Sequence, residues 1–487
     1  AGVAQGLRPC LPVAMGRKAK ATPASSAKAL ELCGDASRLG VSAADVFAQY
    51  AAPRAGALQA SVEDSEAAKV DDAEISLALH ALQKKDPTTR LRGVGELKEL
   101  LAGRPAQTLK EACAPFLHLY RRLWPQDAEP RVREGLQRCL QALVEALQRD
   151  FQRHLRSAFP TWLCAMFDTH AEVASAARRA FAASFPSDDK RRGVFRHCQS
   201  QCQGLLTANL SHTEQSLHDE LGMSGAAAGD RNLALERQDR YARVIAASLS
   251  ALGELVHVCA SVPPGGAQAP LGAEELAPLL AAGGLCSPWS RLSLKQPSLV
   301  RRAAAECLLR LLQSEAATPA FAAASHRAAA IGTLADEAVP LSVSVGLLCS
   351  FARAGGSECW EGLNAAKSLW PQLLGALRRG GAGEAGLLAK LPELLVALPT
   401  SAWGPGRGEA VLQTLLEALH KPRTPAVQVW RGYFAVVQAA DAAGSPVAQC
   451  WRWAPLEMYL GSRTSPAPGP AGSAEAVPQL CAAPEAA

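Results

Sequence analysis

Three aspartates recur at one fixed interval between Gln83 and Ala180, and that interval constrains the fold more than any other feature of the chain. Asp86 opens Asp-Pro-Thr-Thr-Arg-Leu-Arg, Asp127 opens Asp-Ala-Glu-Pro-Arg-Val-Arg, and Asp168 opens Asp-Thr-His-Ala-Glu-Val-Ala; successive members lie 41 residues apart. Each aspartate is followed five positions later by an apolar residue (Leu91, Val132, Val173), and in the first two copies an arginine comes next (Arg92, Arg133). An aspartate at the head of a helix accepts a free backbone N–H and sits at the positive end of the helix dipole. Each aspartate is therefore expected to cap the second helix of a pair. Pro87 supports this at Asp86, because the first helical position needs no N–H donor.

Repeats of roughly 40–47 residues in an all-helical pattern are those of HEAT/ARM solenoids. Such a fold lets 487 residues bury their apolar surface without one large core, because each repeat packs only on its neighbours. Nothing in the chain alternates with the period of two that a sheet requires. The hydrophobic content is 48% but only 5% is aromatic, and the many alanines suit close helix stacking. The sequence predicts an all-α HEAT/ARM-type helical-repeat solenoid.

Along the chain, residues 1–70 are rich in Ala and Ser and are expected to be a disordered lead-in, with Met15 as the expected start. Helical repeats are expected over 71–262 and again over 271–460, with Pro263-Pro264-Gly265-Gly266 between them. Residues 461–487, rich in Pro, Ala and Gly, are expected to be a disordered tail. The stripe Ile75, Leu79, Leu82 begins the helices, and Thr108-Leu-Lys-Glu111 has the form of a capping box. Pro115 predicts a kink or a late helix start. One long helix is expected after Asp127, carrying Val132, Leu136, Leu140, Leu143, Leu147, Phe151 and Leu155. Pro297-Ser-Leu-Val-Arg301 repeats the Val-Arg helix start, and further pairs are expected at about 327–354, 359–379, 384–398, 409–420 and 425–441.

The net charge of +5 is unevenly placed. Lys84 to Arg156 holds 15 Lys/Arg and 9 Asp/Glu, so the rest of the chain is slightly acidic. Lys84, Lys85, Arg90, Arg92, Arg121, Arg122, Arg131 and Arg133 form a candidate contact for RNA phosphates or an acidic protein; the alternative is a solvated set of helix backs. The 14 cysteines are scattered at apolar helix positions, as reduced core thiols would be. No stretch reaches the roughly 18 uncharged apolar residues of a membrane helix.

Motifs that carry chemistry are weak. Gly381-Ala-Gly383-Glu-Ala-Gly386 has the spacing of a dinucleotide loop but follows a helix where a strand is needed, which favours an interhelix turn. His197-Cys198 with Cys202 lacks the second ligand pair of a zinc site. Asp168-Thr-His170 comes with no nucleophile turn. Trp430, Trp451 and Trp453 are either an exposed aromatic platform or core. No catalytic, cofactor or metal residue is predicted.

Several blocks carry a family resemblance: Met15-Gly-Arg-Lys, Leu82-Gln-Lys-Lys-Asp-Pro-Thr-Thr-Arg-Leu, Arg131-Val-Arg-Glu, Trp162-Leu with Phe167-Asp-Thr, Ala180-Phe, and Ser184-Phe-Pro. Further on come Glu358-Cys-Trp, Asn364-Ala-Ala-Lys, Leu369-Trp-Pro-Gln-Leu and Arg378-Arg-Gly-Gly. Together they resemble the N-terminal domain of listerin, the RING-type E3 ubiquitin ligase of ribosome-associated quality control, over about Met15 to Leu398. The resemblance implies an arm that lies on a 60S ribosomal subunit carrying peptidyl-tRNA, beside a quality-control factor like nuclear export mediator factor. It implies a distant RING that holds the family's zinc and works with an E2 and ubiquitin on the obstructed chain. No zinc-binding Cys/His array occurs in this sequence, so the chain is expected to be a fragment without the ligase module, cytosolic, monomeric and free of membranes. The alternative is a generic HEAT scaffold that binds a protein partner without ribosomes.

Overall fold

The computed structural model describes residues 70–221, 231–260, 288–314, 324–356, 360–362, 364–365, 367–379, 385–398, 407–419 and 426–442. Every regular element among them is helical. The lead-in, the Pro263–Gly266 segment, Trp451, Trp453 and the tail lie outside the described residues, as do 381–384 of the glycine motif.

The first repeats follow from local chemistry. Helix α1 (Ala73–Leu82) starts at Asp72, which accepts the N–H groups of Glu74 and Ile75. Helix α2 (Pro87–Gly103) has Asp86 as N-cap and proline in its first turn, and α4 (Pro130–Leu147) has Glu129 as N-cap and again a leading proline. Between them α3 (Ala106–Gln126) buries Phe116, Tyr120 and Trp124 along one face. Helices α5 (Gln152–Ala165), α6 (Ala171–Ser184), α7 (Asp188–His197), α8 (Gln199–Ser211) and α9 (Glu214–Glu220) follow. Helices α2, α4 and α6 stack side by side in one layer, while α3 and α5 form a second layer packed on it. Burying each Leu or Val of the shared face stabilises by about 1.5–3 kcal/mol, enough to order helices that would be marginal alone.

Helix α10 (Arg231–Ala260) is long and apolar enough by length and composition to cross a membrane, but 78% of its most apolar window is buried. Its apolar surface is used against α5, α7, α8 and α11 (Ser298–Leu312). The repeats on either side of Pro263–Gly266 therefore pack directly on each other. Beyond α11 come α12 (Arg327–Gly332), α13 (Leu341–Gly355), α14 (Leu369–Arg379), α15 (Ala385–Ala397), α16 (Arg407–Leu419) and α17 (Ala426–Ala442). Helices α10, α11, α13, α15 and α17 stack in succession, and α14 packs on α16 away from that row. Two alternating rows of this kind are the helical-repeat solenoid that the period predicts.

Several expectations are corrected. The long helix after Asp127 breaks at Gln148, whose φ of 45° lies in the left-handed region. A short 3-10 turn, Gln148–Phe151, then sends α5 into the other layer. The apolar stripe runs on through the break because Leu147, Phe151 and Leu155 are buried on both sides of it. The capping box at Thr108 is not used: α3 begins at Ala106 after Pro105 without a side-chain cap, and runs unbroken past Pro115. The pair expected at 327–354 is a short α12, a 3-10 turn and α13, and the regular helix within 359–379 is α14 alone.

The motifs of the family resemblance mark packing junctions. Trp162 of α5 donates its indole N–H to the Ala177 carbonyl of α6 at 3.0 Å, and its ring meets Phe181 edge-on. Phe159, Phe181 and Phe195 close the corner between α5, α6 and α7. Trp360 and Trp370 are buried in the same way further on.

Candidate functional site

The edge of the solenoid where the second-layer helices end and α2 and α4 begin is built on paired aspartates and arginines. Arg90 stands four residues into α2 and forks onto Asp127, its Nε donating to Oδ2 at 2.7 Å and its Nη2 to Oδ1 at 3.1 Å. Arg133, four residues past the cap of α4, does the same to Asp168 at 2.9 and 3.1 Å. Arg301, four residues past Pro297, repeats it with Asp336 at 2.6 and 3.0 Å. Each aspartate also accepts a backbone N–H two residues on, from Glu129, His170 and Ala338. Bidentate pairs of this kind are charge-assisted and fix geometry as well as energy.

The role expected of the aspartates therefore holds at one position and changes at two. Asp86 is a true N-cap, accepting from the N–H and hydroxyl of Thr89 at 2.8 and 2.6 Å. Those bonds hold its carboxyl below the usual range. Asp127 and Asp168 instead precede their caps, Glu129 and His170, and serve as buried acceptors that tie one repeat to the one before it. The Arg301 guanidinium likewise holds Asp336 below the usual carboxylate range. Arg243 of α10 joins the second junction: it lies 3.9 Å from Asp168 and donates to the carbonyls of Trp124, Pro125 and Asp127. Burial, with the charge of Arg133 beside it, lowers its pKa to about 9.

These pairs sort the candidate contact residues. Arg133 is only 3% exposed and also donates to the carbonyls of Asp127 and Ala128. It cannot reach a partner, and this corrects its place in the set. Arg90 is turned inward in the same way, donating to the carbonyls of Lys84 and Lys85 at 2.9 and 2.6 Å. It pins the loop that displays those two lysines. Lys84, Lys85, Arg92, Arg122 and Arg131 are exposed, and Arg121 is half-buried. Arg92 reaches solvent with an 81% exposed side chain while bonding Glu96 one turn on. Lys84, Lys85 and Arg131 occupy neighbouring loops and helix starts joined by the Arg90–Asp127 pair. The structure thus leaves an open basic edge resting on a buried ionic one.

The described cysteines are buried and none is in a disulfide, and burial pushes the thiols of Cys113, Cys139, Cys164, Cys198 and Cys307 up to about 12. They are protonated and unreactive at neutral pH. Among the described residues no group of three His, Cys, Asp or Glu gathers to hold a metal; His197 is exposed while Cys198 and Cys202 are buried. Asp168 is committed to Arg133, so it is not placed to act on His170 as a catalytic pair. Trp430 is core, at 1% exposure.

Comparison with known proteins bears on the same residues. The family model for the N-terminal domain of E3 ubiquitin-protein ligase listerin matches residues 70–398. Listerin of Drosophila melanogaster is 28% identical over 315 residues, covering 61% of this chain and 16% of the relative. Listerin of Xenopus tropicalis is 26% identical over 292 residues, covering 57% and 16%. The Mus musculus protein is 24% identical over 318 residues, covering 65% and 17%. The chain thus spans well under a quarter of the length of these relatives.

Proposed function

We propose a function from one premise: this chain belongs to the listerin family, through that family's N-terminal domain. It is the docking arm of a listerin-like E3 ubiquitin ligase. The arm binds a large ribosomal subunit that carries an obstructed, tRNA-linked nascent chain. A RING domain elsewhere in the full-length ligase directs ubiquitin from an E2 onto that chain. Zinc would serve only that RING; the described residues here offer no set of ligands for it.

The observation that carries this reading is the set of exposed cations Lys84, Lys85 and Arg131 beside the Arg90–Asp127 pair, with Arg92 and Arg122 exposed on the neighbouring helices, inside the stretch matched by the family model. Exposed cations meet phosphates without needing a pocket. The buried arginine–aspartate pairs beneath them supply stiffness. They fix the rotation of each repeat on the next, so a contact made at one end positions groups far along the arm. A positioned ligase then meets its substrate at high effective concentration.

The test is co-sedimentation of the chain with purified 60S subunits carrying peptidyl-tRNA, in parallel with Lys84→Glu/Lys85→Glu/Arg92→Glu. Loss of co-sedimentation in the variant, with an unchanged melting curve, is expected. Equal binding by variant and parent would contradict the reading, and capture of a protein partner with no affinity for 60S would make the chain a scaffold instead.

A further inference from the structure

We propose that the groove between the α4–α5 turn and α7 docks an acidic, amphipathic segment of a partner protein. This groove lies on the opposite edge of the stack from the basic loops, and nothing in the docking role above requires it.

The groove is a cavity of about 900 Å³ lined by Val144, Phe151, Leu155, Phe185 and Val194 among others. It opens into a second cavity of about 530 Å³ that shares Arg149, Gln152 and His197 with it. Cations surround the joined space: Lys110, Arg149, Arg153, Arg156 and Lys190. Only Glu145 and Asp150 oppose them, and Asp150 is bound to Lys110 at 2.8 Å. Arg149 and Arg156 are exposed and have no carboxylate partner among the described residues. The lining therefore pairs a recessed apolar floor with a rim whose positive charge is only partly neutralised.

Two further features place a cost where packing alone would not. Gln148, at the mouth, holds a φ of 45° although it is not glycine, a backbone that is strained for any residue with a Cβ unless its surroundings impose it. Arg149 follows it in the 3-10 turn and lines both cavities. Gly193 sits within helix α7 on the groove wall, and a Cβ placed there would meet nothing within 4 Å. Glycine inside a helix is less favourable than alanine, and no neighbour requires it here. Its missing side chain keeps the groove open.

Charge complementarity selects the occupant. The rim calls for Glu or Asp, and the floor calls for Leu, Phe or Met on the opposite side of the same short segment, as in an amphipathic helix laid in a groove. Single-stranded RNA would instead want a row of flat exposed aromatic rings for its bases, and the rim is formed by Lys and Arg side chains.

The experiment is fluorescence polarisation with the full chain and a fluorescein-labelled helical peptide that carries Leu and Phe on one face and Glu on the other. A scrambled peptide of the same composition and an oligouridylate are run beside it. Two variants test the site: Arg149→Glu/Arg156→Glu removes the rim charge, and Gly193→Trp fills the groove without entering the core. Saturable binding of the patterned peptide, weakened about tenfold or more by each variant and absent for the scrambled peptide, is expected. Binding by both variants as tight as by the parent, no preference over the scrambled peptide, or stronger binding of the oligouridylate would overturn the proposal. Because none of these residues belongs to the Lys84–Arg131 edge, 60S co-sedimentation of the same variants separates failure of this site from failure of the docking role.

Discussion

Replacing Asp168 by Asn removes one charge from the most enclosed junction of the solenoid and should destabilise it well beyond the effect of an ordinary surface change. In the parent, the Asp168 side chain is fully buried, the Arg133 side chain is 3% exposed, and Arg243 lies 3.9 Å away. Asparagine keeps the shape and still accepts the His170 N–H, so packing is nearly unchanged and the loss is electrostatic. Breaking a buried pair from one side typically costs about 3–5 kcal/mol, because the remaining charge stays out of water. The backbone carbonyls that already receive both arginines soften this, which puts the estimate at the lower end, about 3 kcal/mol. If the repeats that melt together number about 150–250 residues, that is a fall in Tm of roughly 6–12 °C. Urea unfolding followed by circular dichroism gives the free energy. Amide hydrogen exchange then shows whether α4, α6 and the start of α10 open together, as repeat coupling requires. Asp86→Ala is the comparison, since it removes an exposed cap and leaves no charge buried. A loss for Asp168→Asn no larger than that for Asp86→Ala, or protection lost equally in α15, would refute the argument that this ion pair ties the repeats together.

Three other outcomes follow from the same structure. The Asp336 carboxyl is held below its usual value of 3.8 by Arg301, so its contribution is present above that pH and is lost as acid protonates the folded group; Asp336→Asn should flatten the acid limb of the urea midpoint below about pH 4. A Cβ on Gly135 would run into Cγ1 of Val94 where α4 crosses α2, so Gly135→Ala should cost about 1–3 kcal/mol; Gly95→Ala, which meets nothing within 4 Å, should be neutral or stabilising, and thermal melts of the two decide it. Gln148→Gly relieves the left-handed backbone at the end of α4 and should raise the urea midpoint by the equivalent of about 1 kcal/mol.

The architecture was legible in the sequence because period and helix chemistry act locally. Pro87, Pro130 and the stripes Leu136, Leu140, Leu143 declare their helices from neighbouring residues alone. The ladder was half legible. The sequence interval aligns Arg92 with Arg133, yet Arg90 is the structural counterpart of Arg133, since each stands four residues beyond its own N-cap. Asp86 caps its helix directly while Asp127 precedes its cap, a shift that the equal spacing of the aspartates hides. The break at Gln148 left no signal: no glycine marks the turn, and the apolar stripe continues because both helices face one core. Charge could be counted from the sequence but not its burial, which is why Arg90 and Arg133 stood beside Lys84 and Arg131 as surface candidates. The acid-poor rim of the α4–α7 groove went unseen because its cations come from α3, the 148–151 turn, α5 and α7, which only packing brings together.

The central claim is that the open basic edge meets the large ribosomal subunit, and salt-dependent binding tests it most directly. Labelled chain is titrated with 60S subunits carrying peptidyl-tRNA at several salt concentrations, with and without glutamine at Lys84, Lys85, Arg92, Arg122 and Arg131. Tight binding by the parent, with a log–log salt slope that falls by about 0.7–0.9 for each phosphate contact removed, is the result predicted. Binding of equal strength and equal slope in both proteins would contradict the account.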